Sequence, residues 1–260
     1  MNKLSSHRST ERVLDSLEFV AFGNAIGYTL SEISQKLDIP KSSIQPILHT
    51  LLQRGYLSHD KNTGRYTIGY STFKLGSSFL GSLNIIDEIT KELERVTSIC
   101  LETTYCATLK EGNAFYIAKA DSPEPIRMVA RIGHTLPAYS TGVGKALLTD
   151  FTLQELRKLY PNGLTPLTEH TITDFVELHN QLQTAKREGF AYEMEESNQY
   201  IQCIATPIRK GERIVAAISV AIPTFRYTDE KGELICQSLF QAKNKLEKLI
   251  ENTDIDLSSY

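Results

Sequence analysis

Apolar residues recur at helical spacing through the first fifty positions. Val13, Leu14, Leu17, Val20 and Ala21 share one face, behind Ser9 as a candidate cap. Leu30, Ile33 and Leu37 form a second set. It opens on Thr29 with Glu32 three residues later, the arrangement of a capping box. Asp38-Ile39-Pro40 stops this helix, because a residue before proline is pushed out of the helical region. Ile44, Ile47, Leu48, Leu51 and Leu52 then fall at i, i+3, i+4, i+7 and i+8. Ser42 or Ser43 can cap that third helix, and Gly55 can end it. Two short strands, 56–59 and 65–68, flank Lys61-Asn62-Thr63-Gly64 as a hairpin. Three helices followed by a hairpin predict a winged helix-turn-helix. The third helix would meet a DNA major groove and the hairpin would be the wing.

The face of the third helix opposite its apolar stripe carries Lys41, Ser42, Ser43, Gln45, Pro46 and His49, small or polar and without an acid. Thr29, at the head of the preceding helix, is placed with them, and Lys61 and Arg65 on the wing suit phosphate contacts. The plainer reading is a helical hairpin buried in a core.

Beyond residue 70 the pattern changes. Residues 71–83 read as a linking helix, kinked near Gly76, and 85–96 as a further helix. Strands are predicted over 103–109 and 114–119 around Glu111-Gly112-Asn113, over 126–131, and over 200–209 and 214–222 around Lys210-Gly211-Glu212. Helices are predicted over 142–149, 153–160, 174–188 (capped by Asp174) and 229–250. Hairpins with segregated helices imply an α+β protein whose second domain is an antiparallel sheet flanked by helices. The divisions are 1–70 for the winged helix-turn-helix, 71–83 for the link and 84–260 for the second domain.

Composition fits two domains: 260 residues, 41% of them hydrophobic. Residues 1–75 hold nine Lys and Arg against six acids, whereas the whole chain has a net charge of −3. A mildly basic head on an acidic body suits one nucleic-acid-binding module joined to a module with another task. No run of 18 apolar residues predicts a membrane span, and the N-terminal residues lack the apolar centre of a signal peptide. Cys100, Cys106, Cys203 and Cys236 are scattered, which points to free thiols and a cytoplasmic location.

Ser140-Thr141-Gly142-Val143-Gly144-Lys145 is a glycine-rich loop entering a helix, where amide N–H groups can receive a small carboxylate. It is not a nucleotide P-loop: Tyr139 holds the first glycine position, and Ala146 stands where Ser or Thr must bind magnesium. A glycine turn required only for packing is the competing explanation. The six histidines show no metal-binding spacing, and Glu195 and Glu196 are adjacent and would diverge on a strand. No catalytic residue, metal or cofactor is expected.

The order LSEISQKLDIPKSS, GRYTIG, LPAYSTGVGKALL (136–148), TITD (171–174), EGFAYEMEE (188–196), CIATPI (203–208) and VAAISVAIP (215–223) resembles the IclR family of bacterial transcriptional regulators. The resemblance runs from about residue 8 to 251. It implies a GAF-like α/β effector-binding domain after the winged helix-turn-helix, and assembly as a homodimer or homotetramer on an operator in double-stranded DNA. It further implies a repressor of a metabolic operon controlled by a small-molecule, carboxylate effector. The alternatives are an enzyme acting on such a molecule and a DNA-binding oligomer that needs no ligand. By the same resemblance, the effector pocket falls on Met128, Leu136, Gly142, Val143, Glu193, Ile201, Cys203 and Ser219. Two departures stand out. Pro46 lies where a polar or basic residue is usual. Glu193 and Ala221 stand where aspartate and, in one branch, a second serine are found.

Overall fold

The computed structural model describes residues 7–79, 83–251 and Leu257. The chain divides into two compact units, 1–81 and 82–260.

In the first unit α1 (Arg8–Phe22), α2 (Leu30–Lys36) and α3 (Lys41–Gln53) enclose Val20, Ile33, Ile39, Ile44, Leu48 and Leu51. Burial of such side chains contributes about 1.5–3 kcal/mol each. The capping box of α2 forms: Glu32 N–H donates to Thr29 Oγ1 and Thr29 N–H donates to Glu32 Oε2. Two expected caps do not form. α1 starts at Arg8, after His7 and without a side-chain cap. α3 starts at Lys41 because the Pro40 carbonyl accepts from Ser43 and Ile44 N–H, so Ser42 and Ser43 lie inside its first turn. Asp38 takes a positive φ of 51° at the break between the helices.

The wing is β2 (Leu57–Asp60) and β3 (Arg65–Ile68). With β1 (Tyr28–Thr29) it makes an antiparallel sheet of order β1-β3-β2. Asp60 shapes the turn, accepting from Asn62 N–H and the Thr63 hydroxyl. Its carboxyl is held below the ordinary range by those bonds. Gly64 closes the turn at φ 66°. α4 (Tyr70–Phe79) is tied to the end of α3 and the start of the wing, the Ser71 hydroxyl donating to Arg54 O and that of Thr72 to Tyr56 O. Residues 80–82 of the expected linking helix lie outside the described residues.

The second unit is built on a six-stranded antiparallel sheet. Its strands are β4 (Thr103–Lys110), β5 (Asn113–Ala120), β6 (Thr135–Pro137), β7 (Ala191–Met194), β8 (Ile201–Lys210) and β9 (Arg213–Pro223). Their order is β6-β5-β4-β9-β8-β7. α5 (Leu83–Cys100) and α9 (Asp229–Glu251) cover one face through Ile89, Leu93, Ile218, Val220, Leu239 and Leu246. α6 (Gly142–Leu148) lies on the other face. α7 (Leu153–Leu159) and α8 (Phe175–Glu188) share a third cluster with Leu148. Asp174 caps α8 as expected.

The expected third strand over 126–131 does not form. The Tyr105 hydroxyl takes the place of a ladder partner, donating to Met128 O (2.9 Å) and accepting from Ala130 N–H (3.0 Å). The strand beside β5 is β6 instead, with Ala114 opposite Leu136. β7 went unread in the sequence. No described helix is long and apolar enough to cross a membrane, and the four cysteines are free.

Candidate DNA-binding face and effector pocket

α3 presents two sides. Ile44, Leu48 and Leu51 are buried. Lys41, Ser42, Gln45, Pro46, His49 and Thr50 are exposed, and Ser43 is half-buried. Within its unit the polar side is therefore uncovered. Ser42, Gln45, Pro46, His49, Leu52 and Tyr66 line a groove of about 400 Å³ along it. Tyr66, from the wing, and Thr50 were not among the residues read from the sequence. A tyrosine inside a strand gives no signal that it reaches a helix.

Thr29 has little capacity left for an outside partner. Its hydroxyl donates to Glu32 Oε2 (3.0 Å) and accepts Glu32 N–H (3.3 Å). Lys61 is exposed in the wing turn. Arg65 is not at the tip. It opens β3 opposite Thr29, and its guanidinium donates to Gly27 O (2.6 Å) and pairs with Glu32 (3.2 Å). The strand register turns it back toward α2, so it braces the wing.

The eight expected effector residues converge on one face of the large sheet. Glu193 lies opposite Cys203, and Cys203 opposite Ala221. One step along, Ala205 lies opposite Ser219 and Ser219 opposite Tyr105. Val143 is buried there, with Met128, Leu136, Ile201 and Cys203 packed around the same cluster. Tyr105 and Tyr116 meet edge to face at 5.2 Å. Burial pushes the Tyr105 hydroxyl up to about 12, so it remains a neutral donor.

The glycines of the loop have a packing reason. A Cβ on Gly142 would come within 2.6 Å of Cys203 Cβ, and one on Gly144 within 2.3 Å of Ala138 O. Both allow α6 to lie close against its neighbours. Thr141 caps α6 by accepting Gly144 N–H, and the Gly142 amide faces the Cys203 sulfur.

Glu193 is 2% exposed. Its Oε1 accepts from Glu196 N–H (2.6 Å) and Ser197 N–H (3.1 Å). Its Oε2 has no hydrogen-bond partner, and the Cys203 thiol lies near the carboxyl group. Burial raises the Glu193 carboxyl above the ordinary range against the pull of those amides. Burial likewise raises Glu196, opposed by Lys145. Lys145, 1% exposed, pairs with Glu196 Oε1 and donates to Gln181 Oε1 (2.8 Å). Nothing local in the sequence marks this lysine, since its partners come from α8 and from the turn after β7.

A second network holds the segment that carries Met128. Glu102, fully buried, receives Arg226 through two bonds (2.8 and 2.6 Å) and Lys231 (2.5 Å). Arg226 also donates to Ile126 O (2.7 Å). No group of three or more potential metal ligands occurs among the described residues.

Residues 9–61 match the IclR helix-turn-helix domain, and residues 77–248 match the bacterial transcriptional regulator IclR C-terminal domain. The chain is 31% identical over 228 residues to the transcriptional repressor IclR of Escherichia coli strain K12, which covers 86% of this chain and 83% of that one. The crystal structure of IclR from Thermotoga maritima matches at a TM-score of 0.79 and 26% identity, over 94% of this chain and 100% of that one. An IclR homologue from Microbacterium hydrocarbonoxydans, complexed with 4-hydroxybenzoate, has the same fold, with a TM-score of 0.81 at 21% identity over 92% and 99% of the two chains. The chain belongs to the IclR family of bacterial transcriptional regulators, DNA-binding proteins rather than enzymes.

Proposed function

We propose that this chain is a cytoplasmic repressor of a metabolic operon, released from its operator by a small carboxylate. The observation that carries the reading is the uncovered, acid-free side of α3 from Lys41 to Thr50. Two chains set two such helices one DNA turn apart, roughly 34–36 Å, over an inverted repeat. Ser42, Ser43, Gln45 and His49 meet base edges, and Lys41 and Lys61 meet phosphates. Arg65 and Thr29 act indirectly, by fixing the wing to α2.

The effector lies between Val143 and the sheet face bearing Cys203 and Ser219. Glu193 suits a carboxylate neighbour because burial raises its carboxyl, which weakens its repulsion of an anion. The ligand of the Microbacterium homologue, 4-hydroxybenzoate, is of this class.

A gel-shift assay with the DNA upstream of the chain's own gene is expected to give a specific complex. Lys61→Ala should weaken binding to all sequences and reduce the salt slope by about one. Arg65→Ala should instead lower stability. An unaltered slope for Lys61→Ala would remove the wing from the interface. A panel of small carboxylates including 4-hydroxybenzoate should contain one that raises the melting midpoint, and Ser219→Val should abolish that rise. Gly142 is unsuited to this test, since any Cβ there meets Cys203.

A further inference from the structure

A cleft of about 720 Å³ opens in the second unit between α8 and the edge strand β7. Of the eight pocket residues described above, Glu193 alone borders it. One side is the polar flank of α8, with Glu177, Asn180, Gln181 and Thr184. Val176, Phe190 and Met194 add apolar surface, and Val176 and Met194 are 46% and 64% exposed. Its volume and its mixture of apolar walls and convergent polar groups are those of a small-molecule site.

The charges lining it select the ligand. Asp174, Glu177, Glu193 and Glu196 are acids, and Lys145 is the single base. Lys145 is already in contact with Glu196 and Gln181. An incoming anion would have to displace Glu196 and then face the carboxylates of Asp174 and Glu177. Glu196 is 5% exposed, and its Oε2 has no hydrogen-bond partner, although a buried carboxylate oxygen ordinarily has one. It therefore retains acceptor capacity for an N–H donor.

We propose that this cleft is a second small-molecule site, and that it takes an organic cation. An ammonium or guanidinium group lies toward Glu196 and Glu177, and an apolar body lies along Val176, Phe190 and Met194. The site goes beyond the repressor reading, and its test does not involve DNA.

Calorimetric titration of the full chain with 2-phenylethylamine and with agmatine, against phenylacetate as the anionic match of the first, decides it. At least one cation should bind saturably, and any binding of phenylacetate, which belongs to the carboxylate pocket, should survive changes on α8. Asn180→Trp, which fills the cleft, and Glu177→Lys, which reverses a charge on it, should each weaken the cation at least tenfold. Both positions are exposed on α8, so the ligand-free fold should be kept, with only a small fall in melting midpoint for Glu177→Lys, which puts a cation in the first turn of the helix. Ser219→Val should leave cation binding intact, which separates this site from the carboxylate pocket. The proposal is overturned if neither cation binds, or if both α8 variants bind as the parent does. Abolition of cation binding by Ser219→Val overturns it too, as does phenylacetate binding that the α8 variants remove.

Discussion

Lys145 shows how much one side chain can organise. Its ammonium is almost wholly buried, with Glu196 and Gln181 as partners. Removing one member of a buried pair typically costs about 3–5 kcal/mol, because the other charge is left without compensation. Here the remaining member is a carboxyl already raised by burial, and it can discharge by taking a proton. The sign follows. A carboxyl raised in the folded state binds protons more tightly there than in the unfolded chain. Its contribution to stability is fully present below the ordinary value of 4.5 and is lost as pH rises through the folded value. Loss of Lys145 raises that value further. Lys145→Met is therefore expected to be more damaging at pH 8 than at pH 5, with the deficit growing between them. Urea unfolding midpoints of the two proteins across this range measure it. A deficit independent of pH would mean that the cost is packing and not charge.

At the scale of the element, α3 carries an exception to its own helical pattern. Pro46 is its sixth residue, well inside the helix and two positions later than a cap at Ser42 would have put it. It has no N–H for the Ser42 carbonyl, and its own carbonyl accepts from the Thr50 hydroxyl (2.9 Å). An interior proline costs up to about 3 kcal/mol. Pro46→Ala should thus stabilise the first unit by roughly 1–3 kcal/mol and slow hydrogen exchange of the α3 amides. Unchanged exchange would mean that the Ser42 carbonyl is satisfied without an amide. Because Pro46 borders the groove beside His49, the same variant should alter operator preference in a binding selection. The proline and the caps at Thr29 and Asp174 were legible because each acts within four residues. The segment 126–131 was misread because its apolar residues resemble a strand, whereas its hydrogen bonds go to Tyr105 and Arg226, far away in sequence. β7 was missed because a buried Glu193 breaks the expected alternation of apolar and polar positions. The inward turn of Arg65 depends on Glu32, 33 residues earlier. The expected effector residues rest on a family resemblance. Their convergence depends on strand registers that a single sequence does not display.

The whole molecule sets the last test. Each of its two units has its own core. On the proposed function, DNA contacts belong to the first and the carboxylate pocket to the second. Regulation then requires a coupling free energy between sites that share no residue. Such coupling is typically about 1–3 kcal/mol, or roughly 5–150-fold in affinity, and it is reciprocal. The carboxylate that raises the melting midpoint should weaken operator binding by a factor in this range. Operator DNA should weaken binding of that carboxylate by the same factor. Calorimetric titration of the carboxylate into the free protein and into the protein–operator complex gives one factor, and gel shifts at zero and saturating carboxylate give the other. Equal factors above one establish an inducer. Equal factors below one make the carboxylate a corepressor and reverse the proposed direction of control. If both factors are one, the carboxylate binds both states alike and is not an effector, however tightly it binds.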